Sequence, residues 1–166
     1  MSLLQAEEIF ACLDRHHVRY VLIGGLAAVL QGSPIATFDV DVCPARGPAD
    51  LRRLADALEV LEARIRTPDD PEGVPFPREA AFLSNAQILN LVTRFGDLDI
   101  SFLPSGTEGF EDLSKNSVVI RVRGVEINVA ALQDIIRSKE AANRPKDQRT
   151  LPILRQLLEE IQKKTS

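Results

Sequence analysis

The chain has 166 residues, 45% hydrophobic and 27% charged, with a formal net charge of −4. That length builds one full core and is short for two domains, and the composition excludes a disordered or low-complexity chain. The negative balance argues against non-specific nucleic-acid binding over the whole surface, no apolar run approaches the ~20 residues that span a bilayer, and the N-terminus is acidic early with no basic start, so a cytoplasmic protein without membrane association is expected.

Apolar positions at Leu3, Ala6, Ile9, Phe10 and Leu13 recur at helical spacing, which predicts a helix over residues 3–16. His16 and His17 close it, as polar or cationic residues favour a helix C-terminus. "RYVLIGG" predicts a short strand, Tyr20 to Ile23, ended by two glycines. "LAAVLQG" reads as a helix closing at Gly32, "SPIAT" as a loop and "FDVDVC" as the second strand. "GPADLRRLADALEVLEARI" predicts a helix with Pro48 in its first turn and Leu51, Leu54, Ala55, Leu58 and Leu61 on one face. Residues 67–79, with four prolines and a glycine, predict a long surface loop. "AQILNLVT" and "DLDISFL", joined by "RFG", predict a hairpin, and "SVVIRVRGVEINV" holds two more short strands around Gly124. Two helices follow, "LQDIIRSKEAA" and "KDQRTLPILRQLLEEIQKK", separated by Pro145, with Pro152 expected to delay or kink the start of the second. Cys12 lies on the apolar face of the first helix and Cys43 ends a strand; both are expected as buried free thiols.

Helices and strands mix without strict alternation. The expected fold is α/β in the α+β sense: a mixed sheet covered by helices on one face, with a C-terminal helix pair. The expected organisation is a single domain over residues 1–166, with a sheet core at about 18–128 and a helical part at about 130–164.

"TFDVDV" sets Asp39 and Asp41 on one face of a strand, with Phe38, Val40 and Val42 on the other. "GDLDIS" repeats the arrangement with Asp97 and Asp99 against Leu98, Ile100 and Phe102. If these strands are neighbours, three or four carboxylates gather on one surface, where their mutual repulsion calls for a divalent cation. Hard oxygen ligands suit Mg²⁺ or Mn²⁺, which complete their coordination with water and phosphate. Two metals bridged by shared carboxylates would activate an attacking oxygen and steady a leaving one. Strand aspartates also serve as edge gatekeepers or turn residues, and for Asp97, beside Gly96, the turn role stands alongside.

Gly24 and Gly25 follow a strand and open a helix, so backbone can approach a phosphate closely there, or simply turn tightly. The spacing is neither the dinucleotide fingerprint nor a Walker A loop. In the tail, "SKEAANRPKDQRTLPIL" brings Arg137, Lys139, Arg144, Lys146 and Arg149 near one another, either as a solvated helix face or as a source of positive charge at a site. Asp147 also suits the first turn of a helix.

A strand ending in Gly-Gly, a short helix, then "TFDVDV" and a later "GDLDIS" resembles the nucleotidyltransferase superfamily with the DNA polymerase beta-type fold; here 13 residues separate Gly25 from Asp39. The tail resembles the Lys…Arg…Asp helix-pair motif of the AbiEii-like and MenT-like nucleotidyltransferase toxins. The resemblance spans about residues 18–158. It implies Gly24 and Gly25 on the triphosphate, Asp39 and Asp41 on metal, and Asp99 as third metal ligand or as base for the incoming hydroxyl. It also implies Lys139 and Asp147 as catalytic residues, with Arg144 in support. Ser33 and Thr37, flanking the acidic strand, are candidate nucleotide-contacting hydroxyls. Where family members commonly carry a basic residue just before the Asp pair, this chain reads "PIAT".

The expected activity is Mg²⁺-dependent transfer of a nucleoside monophosphate from an NTP to an acceptor. Toxin-like members act on tRNA ends, which makes the tRNA 3′ end the first acceptor and an antitoxin protein a possible partner; a protein hydroxyl or a small molecule is the alternative. Contact with tRNA would rest on the basic C-terminal stretch and on Arg64–Arg66. A non-catalytic module of the same fold, binding nucleotide or a partner, is disfavoured because a retired site has no reason to keep the electrostatic cost of an intact acidic set. A haloacid dehalogenase-type phosphatase also uses Asp-x-Asp, but the preceding glycine pair, the short chain, and Val42 and Cys43 after Asp41 fit it poorly.

Overall fold

A computed structural model of the chain describes residues 3–37 and 39–165. The expectation for Phe38 lies outside them. Helix α1 (Leu3–Arg15) buries Ala6, Ile9, Phe10 and Leu13 along its apolar stripe. Strand β1 (Tyr20–Ile23) leads straight into α2 (Gly24–Leu30), and β2 (Val40–Pro44) follows the loop.

Helix α3 (Pro48–Val60) starts at Pro48 as expected but ends before the predicted boundary. Glu62 takes a left-handed conformation (φ 54°), Glu62 N–H donates to Glu59 O, and Ala63 N–H donates to Leu58 O. These bonds cap the last carbonyls in the Schellman manner. The motif usually announces itself with glycine, and here a glutamate fills that place, so the helical pattern of "LEARI" was misleading. Residues Arg64–Thr67 instead form β3, which pairs with β4 (Asp70–Val74) as an antiparallel hairpin. The long loop expected over 67–79 is therefore corrected. Pro71 is tolerated because β4 is the sheet edge, where a missing N–H leaves no partner unmet. Gly73 (φ +90°) is needed there: a Cβ would sit 2.6 Å from Arg64 Cβ and 2.7 Å from Val92 Cγ1.

The predicted hairpin is β5 (Ile88–Thr93) with β6 (Gly96–Ser101), preceded by the short α4 (Ala80–Leu83) and followed by the short α5 (Phe110–Lys115), neither of which was expected. Strands β7 (Val118–Val122) and β8 (Val125–Val129) turn at Gly124 as predicted. Helices α6 (Leu132–Ala142) and α7 (Pro145–Thr165) close the chain. Asn143 ends α6 in the left-handed conformation, and α7 begins at Pro145 and runs through Pro152 without delay.

The strands form one eight-stranded mixed sheet in the order β4-β3-β5-β6-β2-β1-β8-β7. Pairs β2–β6 and β1–β8 are parallel, the others antiparallel. Val40, Val42, Leu98 and Ile100 are buried in the core with the apolar faces of α1 and α3. Burying each such side chain is worth about 1.5–3 kcal/mol. A one-residue slip of either strand would bring its carboxylates into that core, so packing fixes the register that the acidic residues need.

Candidate active site

The register Val40↔Leu98, Asp41↔Asp99, Val42↔Ile100 puts Asp41 directly opposite Asp99 on adjacent parallel strands. Asp39 lies just before β2, and Asn90 of β5 stands opposite Asp99 on its other side. The neighbouring of the two acidic strands, on which the metal expectation turned, is thus present.

Burial pushes the Asp41 carboxyl up to about 7, with the charges of Asp99 and Asp39 adding to it, while Lys146 pulls the other way. Burial also raises Asp99, assisted by Asp39 and opposed by Arg66. The two facing carboxyls act on each other's titration. Among the described residues, no three His, Cys, Asp or Glu side chains are already gathered as a metal-binding group. The donor chemistry nevertheless suits a hard divalent cation: when ionised, two facing carboxylates with Asp39 nearby need a positive charge between them.

Arg66 of β3, expected only as a tRNA contact, joins the acidic cluster, which sequence reading missed. Its Nη1 donates to Leu91 O at 2.8 Å and pairs with Asp97 Oδ1 at 3.3 Å, while Nη2 donates to Asp99 Oδ1 at 3.0 Å. Arg64 Nε donates to Gly73 O at 3.0 Å. Both arginines are thus engaged within the sheet. The alternation in "RIRT" was the available signal, hidden because the segment was read as the end of a helix.

Gly24 (φ +73°) packs against Asp41, so that a Cβ there would overlap Asp41 Oδ2; a Cβ on Gly25 would sit 2.9 Å from Thr37 Oγ1. The glycine pair therefore makes room for the carboxylate and the hydroxyl beside it.

Across from the sheet stand α6 and the start of α7. Asp147 is fully buried. Its Oδ2 accepts from Arg144 Nε at 2.8 Å and Arg144 N at 3.1 Å, and its Oδ1 accepts from Arg144 Nη2 at 3.3 Å and Lys139 Nζ at 3.5 Å. Burial alone would raise the Asp147 carboxyl, but the Arg144 hydrogen bonds and the charges of Arg144 and Lys139 hold it below the usual carboxylate range. Asp147 thus locks Lys139 of α6 to the first turn of α7.

A cleft of about 930 Å³ separates the two walls. Gly24, Gly25, Thr37, Asp39, Asp41, Asp99, Lys139 and Arg144 line it, together with Arg66, Asn90 and Lys146. Asp147 lies behind this lining. Ser33 also lies outside it, buried, with its Oγ accepting from Ile35 N at 3.2 Å. No helix among the described residues is long and apolar enough to cross a membrane.

No protein-family model matches the sequence, and no curated protein matches it. Among solved structures, the chain is similar to a candidate nucleotidyltransferase from Thermotoga maritima, with a TM-score of 0.56 and 18% identity over 95% of this chain and 92% of that one. The two chains share their fold, which in this chain is a mixed sheet carrying the acidic strands, flanked by helices and closed by a C-terminal helix pair.

Proposed function

We propose that the protein is a nucleotidyltransferase that moves a nucleoside monophosphate from an NTP to an acceptor hydroxyl. The observation that supports this best is Asp41 opposite Asp99 with Asp39 beside them, in a cleft whose far wall is basic. The nucleotidyltransferase fold of the similar solved structure points the same way.

In this reading Asp39, Asp41 and Asp99 would hold Mg²⁺ or Mn²⁺, which supplies charge neutralisation at the α-phosphate and lowers the barrier to attack. Gly24 and Gly25, which let Asp41 and Thr37 close in on the backbone, would lie at the triphosphate, with Thr37 offering a hydroxyl at that edge. The acceptor oxygen bonds to the α-phosphorus, the bond to the β-phosphate oxygen breaks, and pyrophosphate leaves. Asp99, held on one oxygen by Arg66, would serve either as the third metal ligand or as the base that takes the proton of the acceptor hydroxyl. Lys139 and Arg144, fixed by Asp147, keep the opposite wall positive without a change of conformation during the reaction.

The tRNA 3′ end as acceptor, and a toxin role with an antitoxin partner, rest on the resemblance of the C-terminal Lys…Arg…Asp stretch alone. The test is a panel of labelled NTPs with Mg²⁺ and total tRNA, run with the native protein and Asp41→Ala. Label should pass to RNA with the native protein and not with the variant. Label on the protein itself or on an added small molecule would move the acceptor. NTP binding without any transfer would make the chain a binding module, and equal transfer by both proteins would remove the acidic strand from the chemistry.

A further inference from the structure

Four basic side chains line the cleft: Arg66, Lys139, Arg144 and Lys146. Three are already engaged. Arg66 is held by Asp97, Asp99 and the Leu91 carbonyl, and both Lys139 and Arg144 are held by Asp147. Taking either of the latter away would weaken the pairing of a fully buried carboxylate, and stripping a buried charge of its partner costs several kcal/mol. Neither Lys139 nor Arg144 is therefore free to follow an incoming anion.

Lys146 differs. It is exposed, in the first turn of α7 beside Asp147, and among the described residues no hydrogen bond or ion pair engages its ammonium. It lines the same cleft as Asp39, Asp41 and Asp99. A lysine is a compact charge with three donors on a flexible stem, able to track a mobile phosphate group. We propose that Lys146 is the side chain that meets the polyphosphate of the incoming nucleotide, with Lys139 and Arg144 as fixed background charge behind it. This rests on the nucleotidyl-transfer reading and assigns the contact to a residue different from the one the family motif suggests.

The probes are inorganic tripolyphosphate, ATP and AMP, each titrated calorimetrically with Mg²⁺ into the full chain. Native protein, Lys146→Ala, Lys146→Arg and Lys139→Ala are compared, with a thermal melt on each. Lys146→Ala should keep the native melting temperature and bind tripolyphosphate and ATP about tenfold more weakly, as expected for loss of one charge-assisted contact. AMP, which lacks the outer phosphates, should bind it within about twofold of native on the same reasoning. Lys146→Arg should recover most of the loss. Unchanged tripolyphosphate affinity in Lys146→Ala, or a loss confined to Lys139→Ala, would overturn the assignment while leaving nucleotidyl transfer intact. A native protein that binds neither ATP nor tripolyphosphate would bring down both readings.

Discussion

Asp41 and Asp99 face each other on neighbouring parallel strands, and burial raises both carboxyls, so that ionising them in the cleft carries an electrostatic cost. Asp41 titrates near 7 in the folded chain because of burial and the nearby carboxylates, and near 3.8 when unfolded. The folded state therefore binds that proton more tightly. The stability this contributes is complete below about 4 and is lost as pH rises through about 7. Metal-free Asp41→Asn should consequently melt higher than native protein at pH 8, by the equivalent of on the order of 2 kcal/mol, with little difference at pH 4. Paired melts in chelator across that range check it; parallel pH curves for the two proteins would refute the raised Asp41 carboxyl.

Arg66 is expected to matter to Asp99 in a way that lysine cannot reproduce. The guanidinium reaches a carbonyl and two carboxylates at once, a fork geometry that an ammonium lacks. Arg66→Ala should lower label transfer by at least about tenfold and stability by about 1 kcal/mol, the group being partly exposed. Arg66→Lys should restore stability more than transfer. Initial rates and denaturant midpoints separate the two effects, and full rescue of transfer by lysine would show that charge alone is needed.

Glycines 24 and 124 both have positive φ, +73° and +83°, but only the first has a neighbour to meet. Gly124→Ala carries the backbone strain alone, roughly 1 kcal/mol. Gly24→Ala adds the overlap with Asp41 and should cost at least about 2 kcal/mol and abolish transfer. Chemical denaturation of both variants, with transfer assays, tests this; equal costs would mean that Asp41 moves aside freely.

For Asp147 the sign of the pH effect is opposite to that of Asp41. Burial opposes its ionisation, but Arg144 and Lys139 prevail and hold it low in the fold, so its stabilisation is present at neutral pH and lost as pH falls below the ordinary carboxylate range. Asp147→Asn should cost about 2 kcal/mol at pH 7, less than for a fully buried pair because Arg144 is half exposed. The loss should shrink in acid. Urea midpoints at pH 7 and pH 3 measure it, and a cost that does not shrink would point to packing rather than charge.

Alternation and turn chemistry are local, and they were enough to place β1, both acidic strands, the β5–β6 hairpin and the C-terminal helix pair in the sequence itself. The paired aspartates announced an electrostatic cost, because charge on a strand with an apolar opposite face is legible without knowing its neighbours. Three things were decided only in the folded chain. The end of α3 depended on a left-handed Glu62, which many residues could occupy at modest cost, and with it went the β3–β4 hairpin and the placement of Arg66. Whether Asp41 meets Asp99 depended on strand order, a long-range property fixed by core packing. And which of the basic side chains is engaged and which is free depended on the burial of Asp147, since charges that are equivalent along a helix become unequal once one buried carboxylate claims two of them.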